Sequence, residues 1–251
     1  MQYPQDFTNK VICGDCLEVM KDIPDKSIDM ILCDLPYGIT ACKWDTIVPF
    51  EPLWEQYKRI IKDNGAIVLT ASQPFTSALV MSNIKMFKYE IIWEKDSPTN
   101  PFMAKIQIMK RHENICIFYK KQPTFNPQME KREEKNKRNN NPKNEYKTET
   151  KGSAVLERDN IGNNNYIYPN SIQKVIRGSR GLHPTQKPVA LFEYLIKTYT
   201  NEKDLVLDNC AGSGTTGVAC QNLNRNFILI EREKKYCEIA NQRLRQEVLP
   251  I

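Results

Sequence analysis

No stretch of the chain stays apolar for the roughly eighteen residues that a membrane-spanning helix needs. Its opening, MQYPQDFTNK, also lacks the apolar core of a secretory leader, so a cytoplasmic protein with no membrane partner is expected. Histidine is scarce, with only His112 and His183, and among eight cysteines only Cys13 and Cys16 have C-x-x-C spacing. A structural zinc site draws its ligands from more such residues than these, so no metal is expected. Cys33, Cys116, Cys210 and Cys220 lie in or beside apolar runs, where a reduced thiol packs as a small hydrophobe. What remains is an ordinary globular balance of 251 residues, 40% hydrophobic and 26% charged, enough to bury one sizeable core and carry an insert.

Two stretches stand out. In the first, Ile28-Asp29-Met30-Ile31-Leu32-Cys33 is an apolar run stopped by Asp34-Leu35-Pro36-Tyr37-Gly38. Acid, proline and glycine in that order read as the carboxyl end of a buried strand, where open α/β sheets place their chemistry. The same residues are also ordinary turn formers, so a second motif is needed.

That motif is Asp204-Leu205-Val206-Leu207-Asp208, then Gly212, Gly214 and Gly217, a helix from Thr215 to Leu223, and a strand Asn226–Ile230 ending in Glu231. Strand, glycine turn, helix, strand and terminal acid make a nucleotide-binding βαβ unit, in which glycines allow close approach and the acid accepts from a ribose. Asp208, Ala211, Gly212, Ser213, Gly214, Thr215 and Glu231 are therefore the expected cofactor contacts.

Elsewhere strands and helices alternate. A strand ends at Gly14-Asp15 before a short helix, Cys16 to Ile23; a helix spans Pro52 to Ile61, with Leu53, Tyr57, Ile60 and Ile61 on one face. Strands follow at Ala66–Thr70, Tyr89–Trp93 and Ile115–Tyr119, with a helix between the first two ending near Ser82. Helices Val189–Tyr199 and Glu233–Val248 complete a doubly wound, mostly parallel sheet of Rossmann-like type. Thr40 to Asp45, with Trp44, reads either as an active-site loop or as a surface loop pinned by its aromatic ring.

Residues 121–182 differ in character: rich in Asn, Lys and Glu and poor in apolar side chains. Residues 120–151 hold ten Lys/Arg against five Asp/Glu, nearly all of the net charge of +6. A localised basic excess suits a polyanion, because phosphate contacts release counterions; a solvated loop has the same composition. Lys131, Arg132, Lys135, Lys137, Arg138, Arg177 and Arg180 are the candidate phosphate contacts.

The two motifs in this order resemble the amino-methylating, S-adenosylmethionine-dependent DNA methyltransferases in their circularly permuted, beta-type arrangement. The resemblance covers residues 9–120 and 183–247, with Leu35 where many relatives carry proline. It implies a catalytic domain of residues 1–120 and 183–251, with 121–182 as an inserted target-recognition region. It implies S-adenosylmethionine as cofactor, double-stranded DNA as partner, and a role in DNA methylation of the restriction-modification kind; it also admits a homodimer. Asp15 would contact the adenine moiety of the cofactor. His183-Pro184-Thr185-Gln186-Lys187-Pro188 resembles a motif that holds the methionine part, through His183, Thr185 and Lys187.

Asp34, Leu35, Pro36 and Tyr37 would be catalytic. An exocyclic amine conjugated into its ring is a poor nucleophile, and two acceptors on its hydrogens, the Asp34 carboxylate and the Leu35 carbonyl, would stabilise the nitrogen as it turns tetrahedral. Pro36 would fix the turn, and Tyr37 would stack on a base flipped from the duplex. Among the methyltransferases the chain resembles, an acid at the first position is commoner in those that modify adenine, so the resemblance implies the N6 amine of adenine, with N4 of cytosine the alternative. Gly212-x-Gly214-x-x-Gly217 with Glu231 nineteen residues after its first glycine also satisfies a nicotinamide-dinucleotide pattern, and a DNA-binding module without catalysis is a further alternative.

Overall fold

The computed structural model describes residues 2–40, 42, 45–99, 101–131, 165–176 and 186–245. In chain order the elements are β1 (Lys10–Cys13), α1 (Cys16–Met20), β2 (Ile28–Cys33), α2 (Phe50–Ile60), β3 (Ile61–Ala71), α3 (Phe75–Ser82), β4 (Phe87–Thr99) and β5 (Lys110–Phe118). They continue with β6 (Glu130–Lys131), β7 (Tyr166–Ile167), β8 (Ile172–Lys174), α4 (Val189–Tyr199), β9 (Leu205–Asp208), α5 (Thr215–Asn222), β10 (Asn226–Glu231) and α6 (Lys234–Arg245).

Eight strands form one sheet in the order β1-β10-β9-β2-β3-β5-β4-β8. Every pairing is parallel except those made by β5. The strands are apolar on both sides because both faces are covered. In β2, Ile28, Ile31 and Cys33 join the core beneath Leu53, Tyr57 and Leu79, whereas Met30 and Leu32 join Leu191, Phe192 and Leu195. That is the doubly wound α/β sheet expected from the sequence.

Several boundaries differ from expectation. β3 begins at Ile61, directly after α2, and Lys62–Gly65 form an irregularity within the strand, between the pairs Ile28↔Ile61 and Met30↔Ala66. Gly65 is required there, since a Cβ would lie 2.8 Å from the Asp29 carbonyl. The first helix ends at Met20, where Arg59 of α2 donates to the carbonyls of Met20 and Ile23, both at 2.7 Å. β4 and β5 each extend well beyond the apolar cores read from sequence.

The chain divides into residues 1–126 with 171–251, and residues 127–170. Residues 121–126 and 171–176 thus fall with the sheet. Asn126 donates its side-chain amide to the Lys197 and Thr200 carbonyls, and β8 pairs with β4 as an edge strand. The smaller unit contains the antiparallel pair β6 and β7, with Lys131 exposed on β6. No helix among the described residues is long and apolar enough to cross a membrane.

Candidate active site

The sheet winds in opposite directions from its middle: β9 leads through α5 to β10, and β2 leads through α2 to the neighbouring β3 on the other side. At such a switch point the loops leaving two adjacent strands part and open a crevice. A cleft of about 690 Å³ lies here, lined from the ends of β1, β2, β3, β9 and β10.

The β9–β10 side carries the glycine turn. Gly212 has φ +51° and donates its N–H to Glu231 Oε2 at 2.7 Å, while Glu231 Oε1 accepts from the Glu233 N–H at 2.8 Å. Both oxygens keep lone pairs for a further donor. Gly214 starts α5 at φ +79°, and a Cβ on it would meet Ala240 Cβ at 2.9 Å; one on Gly217 would meet Leu229 and Leu244 at 2.8 and 2.9 Å. These two glycines therefore serve packing of α5 on α6 and β10. Asp208 is buried, accepts from Thr216 Oγ1 and from the Cys210 N–H at 3.1 Å, and braces the turn. Its pKa is pushed up to about 7, chiefly by burial, against the lowering effect of the Thr216 bond. Asp15 caps α1 through Leu17 N–H at 2.8 Å and also lines the cleft. Ala211, Ser213 and Thr215 line it as well, and Arg243 holds the Ser213 carbonyl at 2.7 Å.

On the β2 side, Asp34 sits in a cage. Its Oδ1 accepts from the Tyr37 hydroxyl at 2.7 Å and from Thr70 Oγ1; its Oδ2 accepts from the Lys187 ammonium at 2.5 Å. Leu35 and Pro36 follow along the cleft wall. The Tyr37 ring is backed by Phe75, with centroids 5.1 Å apart and planes 28° from parallel. Asp45 pins the next turn by accepting from the N–H groups of Gly38, Ile39 and Thr40 at 2.9, 3.0 and 2.7 Å.

Lys187, expected on the cofactor side, directs its ammonium to Asp34 and, at 3.4 Å, to Glu113 Oε2 of β5. Glu113 Oε1 in turn accepts from Lys95 of β4, whose ammonium lies 5.2 Å from the Trp93 ring centroid. Burial works against charge on Lys187, but the facing carboxylates of Asp34 and Glu113 outweigh it and raise its pKa above the ordinary value. Burial likewise opposes ionisation of Glu113, and Lys187 and Lys95 outweigh it, holding its pKa below the usual range.

Thr70, Lys95 and Glu113 are not among the site residues the sequence points to, and Asp45 enters there only as the last residue of the Thr40 to Asp45 loop. For Lys95 and Glu113 a signal exists: each continues the two-residue alternation of its strand onto the face of Ile91, Trp93, Ile115 and Ile117. His183, Thr185, Arg132, Lys135, Lys137, Arg138, Arg177, Arg180 and Trp44 lie outside the described residues.

A doubly wound sheet whose switch point sets an acid-anchored glycine turn beside a caged carboxylate has the build of a group-transfer enzyme with a nucleotide-like cofactor. The chain belongs to the DNA methylase family, whose profile matches residues 28–242. The Type II methyltransferase M.HinfI of Haemophilus influenzae is 29% identical to it, over 96% of this chain and 69% of that protein. M.HpaI of Haemophilus parainfluenzae is 30% identical, over 95% of this chain and 74% of that protein. Among solved structures, the M1.HpyAVI-SAM complex aligns with a TM-score of 0.63 and 28% identity, over 94% of this chain and 99% of that one. Membership of this family displaces the nicotinamide alternative.

Proposed function

We propose that the chain transfers a methyl group from S-adenosylmethionine to the N6 amine of adenine in double-stranded DNA, at specific sites. The observation that carries this reading is the placement of Asp34 and the Glu231-anchored glycine turn in one cleft of about 690 Å³, within the range of small-molecule sites. The M1.HpyAVI relative was solved with S-adenosylmethionine. The residues fit that cofactor: Glu231 offers acceptors for ribose hydroxyls, Asp15 lies on the same wall, and Ile47, Val48 and Phe192 supply apolar lining. When bound, the cofactor supplies an electrophilic methyl group on sulfur.

The chain's own residues do the rest. Asp34 Oδ2 and the Leu35 carbonyl accept the hydrogens of the target amine, concentrating negative charge where the nitrogen becomes positive. Tyr37, fixed by Phe75 and by its bond to Asp34, stacks on the flipped base. Positioning and electrostatics supply the rate. The 121–182 region, with Lys131, Arg132, Lys135, Lys137 and Arg138, and with Arg177 and Arg180, reads the duplex, and His183 and Thr185 hold the methionine part of the cofactor. A cytoplasmic protein of permuted, beta-type motif order, able to pair as a homodimer in a restriction-modification setting, completes the proposal. Incubation with labelled S-adenosylmethionine and mixed-sequence DNA, followed by nucleoside mass spectrometry, tests it. N6-methyladenine is expected; N4-methylcytosine would move the substrate to cytosine, and unlabelled DNA would sink the reading.

A further inference from the structure

Asp34 cannot serve a substrate amine well in the arrangement described. Oδ1 is filled by two hydroxyl donors, and the ammonium of Lys187, 2.5 Å from Oδ2, neutralises the carboxylate where negative charge is needed. A cation there also repels a nitrogen that gains positive charge on methylation. The Lys187 ammonium has a second acceptor within reach. Glu113 Oε2 is buried and accepts no hydrogen bond, yet lies 3.4 Å from Lys187 Nζ. That long ion pair leaves the oxygen without a hydrogen bond, and a closer approach of Lys187 would supply one. Glu113 itself cannot drift: Lys95, buried against Trp93, holds its other oxygen.

We propose that Lys187 is a two-seat cation: it rests on Asp34 while the cleft lacks a base, and moves to Glu113 Oε2 when the target amine arrives, handing Asp34 to the amine. Glu113 is then a positioning residue, acting through Lys187. The four groups Asp34, Glu113, Lys187 and Lys95 stay neutral in sum in both arrangements, so the move requires no proton transfer. Lys110, hydrogen-bonded to Ser72, is a further cation on the same cleft wall. This inference rests on the methyltransferase reading and adds to it how the masked carboxylate is released.

The test uses the full chain, labelled S-adenosylmethionine and the mixed-sequence DNA. Glu113→Gln removes the charge of the second seat and should lower the single-turnover methylation rate on the order of tenfold or more, with S-adenosylhomocysteine affinity within about twofold of wild type. Glu113→Asp keeps the charge that Lys95 needs but withdraws the acceptor by one methylene; it should fold as wild type and still lose rate. In a Lys187→Gln background, with no cation to relocate, adding Glu113→Gln should change nothing further. Wild-type rates in both Glu113 variants, equal loss of rate and cofactor affinity, or an additive loss in the double variant would each overturn the inference. Wild-type protein that labels no DNA would overturn the underlying reading and this inference with it.

Discussion

Removing the Asp34 carboxylate should separate chemistry from folding. The Tyr37 and Thr70 hydroxyls that lose their acceptor lie 3.0 Å apart and can bond each other, and Lys187 retains Glu113. Asp34→Ala is therefore expected to bind S-adenosylhomocysteine normally while methylating at least about a hundredfold more slowly; full activity would refute the assigned role. Asp208 makes a prediction of opposite character. Its carboxyl titrates near 7 in the folded chain against an ordinary value of 3.8, so between those values the folded state holds the extra proton. Its contribution to stability is present below about 4 and is lost as pH rises toward 7. Asp208→Asn keeps one oxygen to accept from the Cys210 N–H, while its amide nitrogen takes the place of the second oxygen and donates to the Thr216 hydroxyl oxygen. Urea unfolding at pH 4.5 and 7.5 should show the variant losing less stability over that rise than the wild type, and equal losses would contradict the assignment.

Elements are legible in the sequence wherever a pattern is local. α4 and the β9–α5–β10 unit fall where their periodicity and glycines place them, because a buried strand, a left-handed glycine and an amphipathic helix each leave a mark within a few residues. Lys95 and Glu113 escape such a reading because the apolar cores of β4 and β5 stop short of them, and a charge ordinarily marks a strand's end. Burial of that charge depends on a partner 18 residues away, and on Lys187, farther still. β8 escapes for another reason: three residues, of which only Gln173 is buried, carry no period, and their place follows from the β4 edge. Within α5 the structure ranks the glycines. Gly217→Ala places a methyl against two flexible leucine side chains and should cost about 1–3 kcal/mol. Gly214→Ala meets the Ala240 backbone at 3.2 Å and must hold φ +79°, so it should be the more destabilising by urea midpoint and the more damaging to cofactor affinity. The reverse order would show that the turn tolerates what its geometry forbids.

At the scale of the whole chain, the basic excess and the cleft draw on different stretches of sequence. The basic excess falls in residues 120–151, whereas the cleft draws on residues 14–113 and 186–236. Neutralising Lys131, Arg132, Lys135, Lys137 and Arg138 together should weaken DNA binding and flatten its dependence on salt, by about one unit of slope for each phosphate no longer neutralised, with cofactor affinity intact. An unchanged slope would make the segment a solvated loop. The sheet order has a consequence of its own. β1 and β2 of the first half are separated by β10 and β9, which arrive near residues 205–231. Asp34, Tyr37 and Glu113 precede residues 127–170; Lys187, the glycine turn and Glu231 follow them. Severed in that interval, the chain would become a two-input device, one fragment holding the carboxylates and the other the cofactor turn. A methyl mark on DNA would then record that both halves had been present in one cell.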